Sequence, residues 1–129
     1  MQLTVTSLYA AAFGMVMLVL WISVTKTRAA AHISIGDGGD VVLHERIRRH
    51  GNFIEWVPLT LILLALAEIQ GASALWLSVA GALALLGRLI HPFGLRADNA
   101  AHPARIVGNM GNILSMVLLI VLLAGRVLA

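Results

Sequence analysis

The sequence predicts an all-α integral membrane protein, a bundle of four antiparallel transmembrane helices. Three observations predict it. The 129 residues are 60% hydrophobic and 12% charged, with a mean hydropathy of +0.93, whereas soluble domains are about 45–50% apolar and about 25% charged. Four apolar segments approach the roughly 20 residues that cross about 30 Å of hydrocarbon. No strand-sized window alternates with period two, which argues against a β-barrel, and helices are the other way to satisfy backbone polar groups in lipid.

The spans fall at about 3–24, 53–69, 72–90 and 106–124, within one domain over residues 1–129. The first has no basic residue from Met1 to Trp21 and no small-residue cleavage site after it, so it reads as a retained span and not a signal peptide. The linker from Ala29 to Asp40 contains the glycine-rich turn ISIGDGGD, and Asp40 suits the N-cap of a second helix. That helix starts near residue 41, in charged sequence on the cytoplasmic side, and continues into the bilayer. Gln70-Gly71 leaves room for only a tight turn before the third helix. Residues Arg96 to His102 form the last linker, and Pro103 suits a first helical turn, where its missing N–H costs nothing.

Charge predicts topology. An even number of spans puts both termini on one side. Eight of the nine Lys and Arg residues border the other side, Arg126 being the exception. The basic loops are therefore expected in the cytoplasm and both termini outside. The net charge of +3 does not point to nucleic acid, because the basic residues border apolar spans and form no separate soluble face. The chain has no cysteine, which excludes disulfides, a thiolate nucleophile and cysteine metal sites. Its five histidines lack an HxxxH pair, so no metal site is expected.

The chemistry-bearing residues lie inside or beside the spans. In HERIRRHGNFIEWVP, Arg48, Asn52 and Glu55 stand at i, i+4 and i+7 and share one helix face, which His44 extends by a turn. Glu45 and Arg49 have the spacing of a local ion pair. Glu55 sits among Phe53, Ile54, Trp56 and Val57, where a carboxylate requires a partner or a wet cavity. It is either half of a packing ion pair or part of a polar pocket. Pro58 leaves the carbonyl of Ile54 without its helical donor and permits a kink there. In GRLIHPFGL, Arg88 either snorkels to the interface or lines the same cleft, and His91 either packs or donates to a ligand. Arg105 lies in the first turn of the fourth helix, where the helix dipole already favours anions. Asn109 and Asn112 read as hydrogen-bonding glue between helices. Gly108, Gly111 and Ser115, with Ala80, Gly81 and Ala84, allow close helix approach. Arg48, Asn52, Glu55, Arg88, His91 and Arg105 together suggest a cationic cleft for a small anionic ligand.

These residues resemble the MAPEG family, the membrane-associated proteins of eicosanoid and glutathione metabolism. R-R-H-G-N-F-I-E-W-V-P fits the pattern R-x-H-x-N-x-x-E-x-x-P, and ISIGDGGD and GRLIHPFGL are similar to the short bacterial branch. The resemblance covers essentially the whole chain. It implies a homotrimer in the inner, cytoplasmic membrane, with glutathione as cosubstrate between subunits near the cytoplasmic side. It implies a transferase or peroxidase that draws lipophilic electrophiles or lipid hydroperoxides from the surrounding membrane lipids. It implies cofactor contacts at Arg28, Arg48, Asn52, Glu55 and His91, and thiolate stabilisation by Arg105. Gly51 stands where some members carry arginine, and Leu95 where some carry tyrosine. Those departures motivate the alternative of a non-catalytic lipid- or glutathione-binding protein. A trimer whose Arg–Glu network serves only packing is a third reading.

Overall fold

The computed structural model describes residues 2–128, which form four helices: α1 Thr4–Ala31, α2 Val41–Ile69, α3 Ala74–Gly94 and α4 Pro103–Val127. All four are long and apolar enough to cross a membrane. Several ends have a local cause. Asp40 accepts from the backbone N–H of Leu43 at 2.9 Å and caps α2, as its position predicts. Pro103 occupies the first turn of α4, and the ring of His102 accepts from Ala104 N at 3.2 Å. Gly71, at φ 76°, turns the chain between α2 and α3, and Ala72 N bonds back to Ala67 O, closing the end of α2.

α2 covers the expected 41–69, while α1, α3 and α4 end beyond their expected spans. α1 continues to Ala31 instead of ending near residue 24. Ala29–Ala31 are good helix formers, and the helix stops only at His32, which is left-handed at φ 54°. At 28 residues, α1 is about 42 Å long, more than the about 30 Å of hydrocarbon. Its last turn therefore projects into the interface or tilts. Arg28 there donates to the carbonyls of Gly36, at 2.7 Å, and Ile33, so the α1–α2 loop folds back on it. Within that loop Asp37 accepts from Gly39 N and pairs with His44. The Gly39 N–H, and then His44, hold its carboxyl below the usual range.

Two apolar clusters hold the bundle. Phe13, Phe53, Val57 and Ala84 join α1, α2 and α3, with the two rings edge to face at 6.0 Å. Leu64, Ala67, Leu77, Ala80 and Leu119 join α2, α3 and α4 nearer the termini. The closest backbone approach is between α3 and α4. A Cβ on Gly108 would stand 2.7 Å from His91 Cα, and one on Gly111 2.9 Å from the Leu83 carbonyl. Ser115 donates to the Ala80 carbonyl at 2.7 Å across the same seam. The small residues therefore act as their spacing predicts.

One tie has no counterpart in the sequence reading. Glu68, near the end of α2, accepts from Val5 N and Thr6 N, both at 2.8 Å. Leu3 offers α1 no side-chain cap, so a carboxylate from another helix satisfies its first free donors and meets the positive end of its dipole. Hydrogen bonds to a charged group are worth about 1.5–3 kcal/mol. Glu68→Ala is expected to cost about 2 kcal/mol and to speed hydrogen exchange at Val5 and Thr6 while leaving the α3–α4 amides protected. Unchanged exchange at those two amides would refute the clamp.

Candidate functional site

The polar site is built where α2, α3 and α4 meet near the basic end of the bundle. The heptad-like spacing of Arg48, Asn52 and Glu55 puts all three on one side of α2, yet they do different things. Arg48 and Glu55 pair at 3.3 Å, with each side chain about half exposed. Asn52 turns inward to Arg88 of α3, which is only 2% exposed. The Arg88 guanidinium donates to Asn52 Oδ1 and, at 3.4 Å, to Asn109 Oδ1 of α4. It also lies 5.9 Å from the centre of the Trp56 ring. Its Nε is buried without a partner among the described residues. No carboxylate forms an ion pair with Arg88 among the described residues.

Of the two alternatives for Arg88, the interfacial, snorkelling one is thereby excluded. Snorkelling needs a route to water. Here α4 lies so close, through Gly87 against Gly108 and Asn112, that the guanidinium is enclosed. Asn109 joins helices through Arg88, as expected of such a residue, while Asn112 donates to Gly108 O within its own helix.

His91 is buried, one turn beyond Arg88, with its backbone against Gly108. Gly94 lies against the Ala104–Arg105 backbone, which sets the half-buried Arg105 beside the end of α3. The Arg105 side chain makes no hydrogen bond or ion pair among the described residues. A half-buried guanidinium without a partner, at a helix N-terminus, is poised for an anion. A Cβ on Gly51 would meet Arg48 Nη1 at 3.6 Å, an ordinary contact.

A model of the MAPEG family matches residues 6–125 of this chain. The chain belongs to the MAPEG family. It is also similar to the inner membrane protein YecN of Escherichia coli, strain K12, and to the same-named protein of strain CFT073 (O6:H1). Each is 32% identical over 90 residues, covering 70% of this chain and 69% of the relative.

Within this MAPEG chain the residues singled out in the sequence do not form one cleft. Asn52, Arg88, Asn109 and His91 gather in the interior, and the Arg48–Glu55 pair lies on the outer α2 surface. Arg105 stands at the α3–α4 end. Arg28 is held by the α1–α2 loop and makes no hydrogen bond to the others. Glu45 and Arg49 pair at 2.9 Å, as the spacing predicts. Their larger task was not readable: Arg49 donates to the Leu95 carbonyl, and Glu45 accepts from Ala97 N. The pair thus holds the exit of α3 against α2. Neither contact follows a local spacing, since the partners lie 46 and 52 residues apart.

Proposed function

We propose that this chain is a glutathione-dependent integral-membrane transferase or peroxidase acting on lipophilic electrophiles or lipid hydroperoxides, assembled as a homotrimer with its site shared between copies. The observation that carries this reading is the Arg48–Glu55 pair, half exposed on a helix surface otherwise lined by Ile54, Leu59 and Ile62. Ions facing hydrocarbon cost several kcal/mol, and a second copy laid over this face turns that liability into an enclosed polar pocket. The inner membrane is the proposed location, in line with the relatives' name, with basic loops in the cytoplasm and both termini outside.

The residues present fit glutathione, which carries two carboxylates, an ammonium and a thiol. Arg48 offers a fork for one carboxylate, and Glu55 matches the ammonium while orienting Arg48. Arg28, remote from this face within one chain, would reach the second carboxylate from a neighbouring copy. Asn52 would receive the peptide backbone on the side chain's N–H2, its oxygen being engaged by Arg88. His91 would orient the ligand from the interior. When bound, glutathione supplies the sulfur nucleophile. A free thiol with pKa about 8.5 is mostly protonated at neutral pH. The unpartnered Arg105 and the α4 N-terminus favour its anion, and one unit of lowering takes about 1.4 kcal/mol.

Arg105→Ala is expected to lower turnover at least ten-fold with little change in glutathione affinity, and Arg48→Ala to weaken binding with little change in kcat. Thermal stabilisation of the purified protein by glutathione, followed by turnover assays on the same sample with generic electrophiles and hydroperoxides, tests the proposal. Leu95 favours a second reading, binding without turnover. It offers no hydroxyl, and its carbonyl is taken by Arg49. Stabilisation without turnover would select that reading, and neither effect would reject both.

A further inference from the structure

The seam between α1 and α3 holds a feature that the glutathione reading does not use. At the basic end it opens as a cavity of about 370 Å³ whose polar wall is Ser23, Glu45, Arg49 and Arg96. It continues into a groove of about 250 Å³ whose exposed lining is almost wholly apolar, with Met15, Val16 and Leu89 in its wall beside the buried Arg88. The two share Val19, Leu20, Pro92 and Phe93, so they form one crevice, charged at the top and apolar below. From Ser23 to Met15 it follows α1 for about 12 Å, most of one leaflet's about 15 Å of hydrocarbon.

The rim carries more positive than negative charge. Arg46 lies alongside, with Nη1 on Ser23 Oγ at 2.6 Å and Nε buried without a partner among the described residues. Among the described residues Arg49 pairs with Glu45 and Arg96 with Asp98, while Arg46 pairs with no carboxylate, so three cations stand here with two anions. Phe93 and Val19 are 77% and 67% exposed, so an acyl chain lying against them covers exposed apolar surface.

We propose that this crevice binds one anionic phospholipid per chain, with its phosphate at Arg46, Arg49 and Arg96 and an acyl chain along Val19 and Phe93. A zwitterionic lipid adds a cation at a rim that is already net positive, and so binds less well. Native mass spectrometry of protein in mild detergent, with equal phosphatidylglycerol and phosphatidylcholine, reads this directly. One phosphatidylglycerol per chain is expected to be retained in preference. Arg96→Gln and Arg46→Gln are each expected to weaken that binding about five-fold, since one basic residue near an anionic lipid is worth about 1 kcal/mol. Val19→Trp, at an exposed position that leaves the core intact, fills the groove and is expected to release both lipids. Arg126→Gln, near the C-terminus, is expected to change nothing. Equal retention of the two lipids, or a preference that survives Arg96→Gln and Arg46→Gln, would overturn the proposal. So would retention unaffected by Val19→Trp. None of these outcomes depends on glutathione.

Discussion

Asn52→Leu is expected to destabilise the protein by about 3 kcal/mol, because it strips a buried cation of its main acceptor. Arg88 is 2% exposed, and among the described residues its guanidinium is held only by Asn52, Asn109 and the Trp56 ring. Leucine nearly matches asparagine in size but offers no acceptor, so the charge stays buried with less compensation. Asn52→Leu combined with Arg88→Met should recover much of the loss, because an apolar pair of similar volume needs no acceptor. Reversible unfolding in detergent, with both single variants and the double, gives the coupling directly. The expected coupling is about 1–3 kcal/mol in favour of the native pair. Additive losses would mean that Arg88 and Asn52 do not depend on each other. This prediction concerns stability and is independent of any ligand.

Gly108→Ala is the second large effect, expected at about 3 kcal/mol or loss of folded protein. The added methyl would stand 2.7 Å from both Cα and Cβ of His91 and 2.8 Å from the Gly87 carbonyl. Two of those three atoms are backbone, so no side chain can swing aside and α3 must move away from α4. Overpacking typically costs about 1–3 kcal/mol and more where backbone must shift. That outweighs the up to about 1 kcal/mol that alanine gains over glycine in a helix. Gly14→Ala is the control. Among the described residues nothing lies within 4 Å of its Cβ position, so the helix-propensity gain should survive and the melting temperature should stay or rise. Equal behaviour of the two variants would contradict the α3–α4 contact. A separation of α3 from α4 would also displace His91 and Arg105, so on the proposed glutathione reading Gly108→Ala should weaken binding through His91 and lower turnover through Arg105 even where it folds.

Much of the fold was legible because membrane helices write their own signals. Apolar length marked the four spans, Asp40 and Pro103 marked helix starts, and Gly108, Gly111 and Ser115 marked the face that meets α3. Those are properties of neighbours in sequence, where a helical repeat or a cap chemistry can be read directly. The overrun of α1 was less legible, since polar residues after Val24 end a hydropathy span without ending a helix.

The candidate site divides along the same line. The sequence alone determined that Arg48 and Glu55 share a face, that Glu45 can meet Arg49, and that Arg105 opens α4, because each follows from a fixed helical rise and turn. Tertiary structure decided the rest. It turned Asn52 inward to Arg88, closed α4 over that guanidinium, tied Arg49 to Leu95, and brought Glu68 from the far end of α2 to the first amides of α1. The physical reason is that a buried polar group takes whichever partner packing brings within about 3 Å. Local sequence constrains the orientation of one helix face but not which atoms of another helix will stand opposite it.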